Sequence, residues 1–385
     1  MTGNLQGESA LPSILQPGEG GPWLPPELLL LILEHLRAPL DVKTLCRTCL
    51  VSKQFLSICQ PYLFDHISLG APKAVVHSKS RCSIVYRVLC ESPRIVLYIR
   101  HLSILSGSLW RGSSLPMTRR WISSDETLPA LLDILFNSTV QSFRMRLSGE
   151  PWRDLPVALQ SSIRSLIDCP SLIHIDFTGF DVIDTVIFQH CRSLQRLKFS
   201  EMAEILVENK SDTSDVWPAT LESLTLLDTV DVGAVISWVI ATPSFRALRD
   251  LRLGFDPLND VPHAEDLLRH VSGTLESLHL QPVYTAWPQP ANFLAINRLF
   301  GLTSLRLSLG IAVDSNPIPW VVFLLTNLGQ IRLQHLTIDL RFDENRDTIH
   351  SLPWAELDSA LCEPSLADVP KPSPTYEIGH EIDFG

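Results

Sequence analysis

The chain has 385 residues, 45% of them hydrophobic and 19% charged, a composition typical of an ordered protein with a large core. Its 31 Lys and Arg residues against 42 Asp and Glu residues give a net charge of −11, which argues against general nucleic-acid binding. The longest apolar run, Leu28–Leu33, is too short to span a membrane, and the first residues lack the features of a secretory signal. We therefore expect no nucleic-acid or membrane partner, and reduced cysteines in the cytoplasm, the nucleus or both.

The N-terminal part of the chain is predicted to contain a flexible leader and a small helical module. Residues 1–23 are rich in glycine and proline without periodicity, as expected of a leader. Residues 24–66 predict three helices, a first one over about Pro26–Leu36 and two shorter ones around Val42–Leu50 and Ser52–Gln60. The first helix is apolar on all sides and must be buried on all sides. The two short helices cover only part of it, so the rest needs the following domain or another protein.

A leucine repeat dominates the remainder of the chain. The pattern L-x-x-L-x-L recurs with its central leucines Leu224, Leu251, Leu278 and Leu305 spaced 27 residues apart. Looser copies begin upstream at Ile99 and continue downstream to Ile338. The period lies within the range of leucine-rich repeats, and the alternation of leucine with polar residues predicts a short strand that is buried on one face.

Runs with helical periodicity precede several of these strands. In one of them Ala264, Leu267, Leu268 and Val271 share a helical face, and Gly273 follows where a C-terminal cap is expected. Comparable runs occupy residues 155–170, 182–191, 292–301 and 319–329. A strand and a helix cannot bury their apolar faces alone, so stacked copies are expected to share a continuous core.

The predicted fold class is therefore α/β: an N-terminal three-helix module followed by an irregular αβ solenoid of leucine-rich-repeat type, with parallel strands on its concave side. Residues 67–93 are predicted to be a helical linker, 94–342 the solenoid and 343–385 a Pro-rich acidic tail, while 201–216 form a loop between repeats. The repeat is divergent, because the position that usually carries a turn-stabilising asparagine or cysteine holds other residues. These are Thr229, Asp256, Val283 and Gly310.

The N-terminal module closely resembles the F-box. The resemblance rests on Leu24-Pro25-x-Glu27, then Ile32 and Leu36, a spacer with Asp41, and Leu50-Val51-Ser52-Lys53-x-Phe55. Residues 62–69 also resemble the segment that follows the F-box in many fungal members, and residue 55 is Phe where many members have Trp. A leucine-rich array behind the module matches the general plan of fungal F-box substrate receptors.

This resemblance implies a function without catalysis. An F-box docks on a Skp-type adaptor, which joins it to a cullin scaffold in an SCF-type RING ubiquitin ligase, and the domain behind it binds a protein substrate. The chain would then be a receptor subunit, and catalysis would rest on proximity. The positions that match the adaptor-binding motif are Leu24, Pro25, Leu28, Leu29, Ile32, Leu36, Leu50, Val51 and Phe55.

Polar strand positions of the predicted solenoid suggest where a substrate binds. The residue between the last two strand leucines is basic in half of the repeats, in a chain of net charge −11. We interpret this as a candidate basic stripe for an acidic or phosphorylated segment, the alternative being an ordinary solvated strand face. The stripe comprises Arg144, Lys198, Arg252, His279 and Arg306.

No signature of an enzyme emerges from the sequence. Cys46-x-x-Cys49 has no second cysteine pair downstream, the histidines are scattered, and no nucleophile elbow or phosphate-binding loop is present, so we expect no catalytic residue, metal or cofactor. The hypothesis from sequence is a substrate receptor of an SCF-type ligase. The open alternative is a leucine-rich-repeat interaction scaffold without a ligase role.

Overall fold

A computed structural model of the chain divides it into two compact units, Met1–Leu63 and Phe64–Gly385. The structure describes residues 28, 31, 42–70, 80–106, 121–136, 138–188, 190–202, 204–206, 221–228, 232–282, 294, 296–311, 316–342, 352–363, 366 and 377–378. The predicted leader, residues 1–23, lies outside this part of the chain.

The first unit contains both of the short helices predicted by the sequence. They are α1 (Val42–Cys49) and α2 (Lys53–Phe64). The hydroxyl of Ser52 accepts a hydrogen bond from the backbone N–H of Phe55 at 3.2 Å, so the residue before α2 caps its N-terminus. Of the predicted first helix, only Leu28 and Leu31 are described, and both are helical.

A small core holds these two helices together. Leu45 and Cys49 lie one turn apart on α1 and are buried with Cys59 of α2, while Ile58, Tyr62 and Leu63 pack around them at partial exposure. The apolar residues of the module therefore split into an inward-facing set and an outward-facing set.

The second unit is built on a parallel sheet. Eleven described strands follow one another across it almost in chain order, as expected when each repeat adds one strand. They are β1 (His66–Gly70), β2 (His101–Leu105), β3 (Ser142–Glu150), β4 (His174–Phe180), β6 (Arg196–Ser200), β8 (Ser223–Leu227), β9 (Asp250–Phe255), β10 (Ser277–Pro282), β11 (Ser304–Ile311), β12 (His335–Phe342) and β13 (Glu377–Ile378). A separate parallel pair consists of β5 (Val182–Asp184) and β7 (Glu204–Leu206).

Helices connect these strands, because parallel neighbours require a crossover. The α-helices are α3 (Arg81–Glu91), α4 (Trp121–Ser124), α5 (Thr127–Leu135), α6 (Val157–Ile167), α7 (Val232–Ala241), α8 (Val261–His270), α9 (Ile318–Thr326) and α10 (Trp354–Leu361). Short 3₁₀ turns span Pro93–Tyr98, Trp152–Asp154, Thr185–Phe188, Pro243–Ala247 and Ile296–Arg298. Helix and strand side chains form one continuous core cluster.

The 27-residue period has a direct structural meaning. Leu251 pairs in register with Leu224 on one side and with Leu278 on the other, and Leu278 pairs with Leu305. One period therefore advances the chain by one strand, which stacks equivalent leucines in a row. All four leucines are at most 1% exposed, so the predicted alternation of buried and polar positions is confirmed.

A recurring backbone bond fixes this register. One carbonyl before each strand accepts two successive N–H groups of the next repeat, as when the Arg249 carbonyl accepts from Glu276 and Ser277 at 2.9 Å each. Other acceptors are the carbonyls of Asp65, Arg100, Gln141, Ile173, Gln195, Glu222, Glu276 and Thr303. The same contact at successive junctions makes the repeats structurally equivalent despite their divergent sequences.

Threonine and serine hydroxyl groups form hydrogen bonds with the backbone of the preceding repeat, in an array that lacks the usual asparagine. Thr139 donates to the Leu97 carbonyl at 2.9 Å, Ser171 to the Val140 carbonyl at 2.8 Å, and Thr274 to the Leu248 carbonyl at 2.8 Å. Each of these residues directly precedes the first apolar residue of its repeat. Side-chain bonding between repeats is therefore present, but it lies at the N-terminal side of the strands.

Several local predictions are wrong. Residues 182–191, predicted as a helix, form β5 and the 3₁₀ turn Thr185–Phe188, because the β-branched Val182 and Ile183 pair with β7. The predicted loop 201–216 contains β7 itself for the same reason. The long-range pairing of these two short segments carries no signal in either segment alone.

The predicted linker 67–93 and the predicted tail 343–385 also need correction. The linker begins with β1, which pairs with β2, although α3 agrees with its helical character. In the tail, α10 starts directly after Pro353 and packs on α9 with Leu357 and Ala360 buried, and β13 pairs with β12. Proline at a helix start removes no helical hydrogen bond, so the prolines there do not prevent a helix.

Among the predicted helices, those within 155–170, 262–273 and 319–329 are confirmed as α6, α8 and α9. The proposed cap at Gly273 is wrong, because α8 ends at His270 and Val271 is its C-cap residue, whose N–H bonds the Leu267 carbonyl. In 292–301, the described residues form only the 3₁₀ turn Ile296–Arg298.

Two glycines with positive φ provide a test of the strand geometry. Gly179 (φ +71°) lies where a Cβ atom would come within 2.2 Å of the Leu147 carbonyl oxygen, whereas Gly149 (φ +79°) faces open space. We expect Gly149→Ala to lower stability by about 1–2 kcal/mol through backbone strain alone. Gly179→Ala adds a clash with backbone, and we expect a loss of about 3 kcal/mol or more.

Thermal and denaturant unfolding of the two variants measure this difference. Gly149→Ala is the matched control, since both substitutions add one methyl group at a left-handed position. Equal losses of stability in the two variants would contradict the close approach of β4 to Leu147.

Candidate functional site

The helical unit presents apolar side chains that its own core does not cover. Leu50 is 87% exposed and Val51 is 70% exposed, at the turn that joins α1 to α2. The backbone there is ordered by hydrogen bonds from the Leu50 N–H to the Arg47 carbonyl and from the Val51 N–H to the Thr48 carbonyl, both 3.1 Å. A rigid turn therefore holds two adjacent apolar side chains in solvent.

The predicted adaptor-binding residues fall into three groups. Leu28, Leu50 and Val51 are exposed, and Phe55 is half-buried. The others lie outside the described residues: Leu24, Pro25, Leu29, Ile32 and Leu36. Leu31, Val42 and Leu56 are exposed as well, at 52%, 54% and 39%, and were missed because an exposed apolar residue has the same sequence signature as a core residue.

The candidate substrate residues lie in one row across the sheet. Strand register places all five in the same row on the polar face, with Asp176 between Arg144 and Lys198 and Thr225 between Lys198 and Arg252. In strand order the row reads Ser103, Arg144, Asp176, Lys198, Thr225, Arg252, His279, Arg306 and Thr337. The five predicted residues are therefore neighbours in space, as the repeat predicted.

Two carboxylates form ion pairs with three of the four permanent cations of this row. Asp176, with its side chain only 3% exposed, pairs with the Arg144 Nε at 2.8 Å and with the Lys198 Nζ at 3.4 Å. The Asp339 carboxylate pairs with the Arg306 Nε at 2.6 Å. The row is therefore not the uniform basic stripe expected from the sequence, because carboxylates pair with most of its cations.

His279, the fifth predicted residue, is held in its neutral form. Burial, with the nearby Arg306 and Arg252, lowers its pKa from 6.5 to about 4, although the carboxylates of Asp339 and Asp250 act in the opposite direction. Its Nε2 lies 2.8 Å from the Ser308 hydroxyl. At neutral pH this residue is a hydrogen-bonding group and not a cation.

Two arginines of the same face have no ion pair with any described residue. Arg252 is one of the predicted set, and Arg196 lies on β6 one row closer to the strand N-termini, in register with His174 and Ser223. Both side chains are exposed. Arg196 is not part of the stripe predicted from the sequence, because its lack of an ion-pair partner depends on residues from other strands.

These two arginines line an open depression of about 480 Å³ on the polar face between β3 and β9. Its floor includes Thr225 on β8, which is 8% exposed, and its rim carries the carboxylates of Glu222 and Asp250. The Asp250 carboxylate accepts a hydrogen bond from Ser223 at 2.8 Å. The depression is polar and mixed in charge, which suits a charged segment of chain better than an apolar ligand.

No residue described by the structure belongs to a cluster of three or more metal-ligating side chains. Within the same residues, no helix is long and apolar enough to cross a membrane. All eight cysteines are free thiols, and Cys46 and Cys49 of the CxxC sequence lie on α1, the first exposed and the second in the small core.

The lowered pKa of His279 predicts how stability depends on pH. Between pH 6.5 and about 4 the unfolded chain binds a proton at this residue that the folded chain does not bind. Its contribution to the free energy of unfolding therefore falls as the pH is lowered through this window. We expect His279→Gln, which keeps a donor for Ser308, to lose less stability between pH 7 and pH 4.5 than the native chain.

Urea unfolding at several pH values measures the effect, with His263→Gln on the exposed face of α8 as the control. The control is expected to follow the native pH profile. If the His279→Gln variant also follows the native pH profile, the lowered pKa of His279 is contradicted.

Comparison with known proteins identifies the helical unit. The family model described as F-box-like matches residues 23–70, which include α1, α2 and β1. No curated protein matches the chain. The match covers the segment that holds the exposed pair Leu50 and Val51, and the sheet from β2 onward lies beyond it. The chain therefore carries an F-box-like domain at its N-terminal end.

Proposed function

We propose that the protein is the substrate-recognition subunit of an SCF-type cullin–RING ubiquitin ligase. The F-box-like match over residues 23–70 carries this proposal, since F-box domains bind Skp-type adaptors. In it, the F-box-like domain docks on the adaptor, and the sheet unit, as a divergent leucine-rich-repeat-type domain, holds the protein substrate. The complex would act in the cytoplasm or the nucleus.

The exposed apolar residues of the F-box-like domain support the adaptor contact. Burying one leucine or valine side chain stabilises a complex by about 1.5–3 kcal/mol, so Leu50 and Val51 together supply a substantial part of a micromolar interface. Because hydrogen bonds already hold the backbone of this turn, little backbone entropy is lost when the two side chains are buried. Leu28 and Leu31 add exposed apolar area of the same kind.

The sheet unit supports a receptor role by its surface and its rigidity. Its in-register parallel strands present charged and hydroxyl side chains at fixed spacing, and its polar face carries the depression at Arg196 and Arg252. In this proposal the chain supplies no nucleophile or base, and the ligase gains rate by holding substrate lysines near the charged conjugating enzyme.

Adaptor capture tests the proposal directly. We expect the full chain, co-expressed with a Skp-type adaptor, to retain it, and Leu50→Asp/Val51→Asp to weaken the complex about 100-fold or more. Two apolar contacts are lost and two charges would be buried without partners. Because both side chains are exposed, the melting temperature of the double variant is expected to equal that of the native chain.

Val157→Asp is the matched control, since Val157 is 82% exposed on α6 in the sheet unit. It is expected to capture the adaptor as the native chain does. A folded native chain that captures no adaptor would overturn the ligase role and leave the alternative of an interaction scaffold. If the double variant and the control capture the adaptor equally well, Leu50 and Val51 are not adaptor contacts.

A further inference from the structure

We propose that the part of the depression between β6 and β9 binds a single anionic side chain, a phosphate monoester or a carboxylate, carried by a segment of the protein substrate. Arg196 and Arg252 would hold the anion over the hydroxyl of Thr225. This inference rests on the proposed receptor function and names the residues and the ligand chemistry that the receptor would use.

The first argument is the distribution of ion pairs. Along this row, Arg144 and Lys198 share the Asp176 carboxylate, and Arg306 is engaged by Asp339. Arg196 and Arg252 have no carboxylate partner among the residues that the structure describes. An incoming anion therefore meets two cations whose hydrogen-bonding capacity is unused, whereas elsewhere in the row it would have to compete with a resident carboxylate.

The second argument is the Thr225 side chain. It lies on β8 between Lys198 and Arg252 in the register of the sheet, is 8% exposed, and lines the depression. Its hydroxyl makes no hydrogen bond within the described part of the chain. The hydroxyl keeps access to the solvent of the depression, and an anion bound there would accept its hydrogen bond in place of water.

The third argument is geometric. Arg196 and Arg252 lie on strands two steps apart and in adjacent rows, so their Cα atoms are offset by about 10 Å across the sheet and about 7 Å along the strands, with the Thr225 strand between them. Two extended arginine side chains can reach a group above the middle strand from both sides. Planar guanidinium groups match the oxygens of phosphate and carboxylate, and such charge-assisted bonds are stronger than those between neutral groups.

Charge on the rim limits the ligand to one anion. Asp250 lies in register with Ser223, one row from Arg252, and Glu222 is exposed beside it. A second negative charge next to the first would approach these carboxylates. We therefore expect an isolated acidic or phosphorylated residue to bind better than a run of them, in contrast to a uniformly basic stripe.

Peptide binding to the full chain tests this inference without the adaptor. The probes are the amidated, acetylated pentapeptides Ala-Ala-X-Ala-Ala in which X is phosphoserine, glutamate or serine, followed by ligand-detected NMR titration. We expect the phosphoserine or the glutamate peptide, or both, to bind at least about tenfold more tightly than the serine peptide, and the affinity to fall with added salt. The better of the two charged probes identifies the source of the anion.

Three variants and one control variant separate this site from the rest of the row. Arg196→Gln and Arg252→Gln are each expected to weaken binding of the charged peptide about tenfold, whereas the control Arg306→Gln, on the same row but paired with Asp339, changes it less than twofold. Thr225→Val is expected to weaken binding severalfold while the melting temperature stays nearly unchanged, because the hydroxyl bonds no other described residue of the free chain.

The inference is overturned if neither charged peptide binds better than the serine peptide, or if Arg306→Gln weakens binding as much as Arg252→Gln does. A loss of melting temperature in Thr225→Val would give that hydroxyl a structural role and overturn its part in the site. A negative peptide result beside intact adaptor capture refutes the anion site alone. Failure of adaptor capture beside specific peptide binding refutes the ligase role alone.

Discussion

Parallel pairing in register is the constraint on which the rest of the sheet unit depends. One carbonyl before each strand accepts two N–H groups of the next repeat, and this contact recurs from Asp65 to Thr303. It makes residues 27 positions apart, such as Leu251 and Leu278, immediate neighbours about 4.8 Å apart. Both the stacked leucines on one face and the charged row on the other follow from this single geometric rule.

The same rule decides the electrostatics of the polar face. In the charged row, the carboxylate that pairs with Arg144, Lys198 or Arg306 comes from a neighbouring strand and lies 22 to 33 positions away in sequence. Buried Asp176 pairs with two cations at once, and His279 is held neutral by burial beside two arginines. A chain of net charge −11 thereby exposes two unpaired arginines at one place.

The two units offer surfaces of opposite chemistry. The F-box-like domain exposes the apolar side chains of Leu50 and Val51, whose burial would be driven by removal of apolar area from water. The sheet unit offers a polar depression, where recognition relies on charge and hydrogen-bond geometry. In the receptor proposal this difference separates a constant contact with the adaptor from a selective contact with a substrate, so changes at one surface need not alter the other.

The sequence by itself determined the features that repeat or that are local. The 27-residue period and its alternation located β8 to β11, the apolar periodicity located α6, α8 and α9, and a short motif identified the F-box-like domain. These signals are readable because each reports the environment of its own segment. The five candidate substrate residues were also placed correctly in one row, since they occupy equivalent positions of the repeat.

Only the tertiary structure decided which short segments pair and which charges remain free. β5, β7 and β13 are strands because a distant partner completes their hydrogen bonds, and α10 is ordered because α9 buries it. Residue 179 is glycine because a Cβ atom there would clash with the nearby Leu147 carbonyl. Likewise, Arg144 and Arg252 are the same residue type at the same repeat position, but a neighbouring strand supplies Asp176 to the first and no carboxylate to the second. That difference depends on neighbours across the sheet, which a local pattern does not contain.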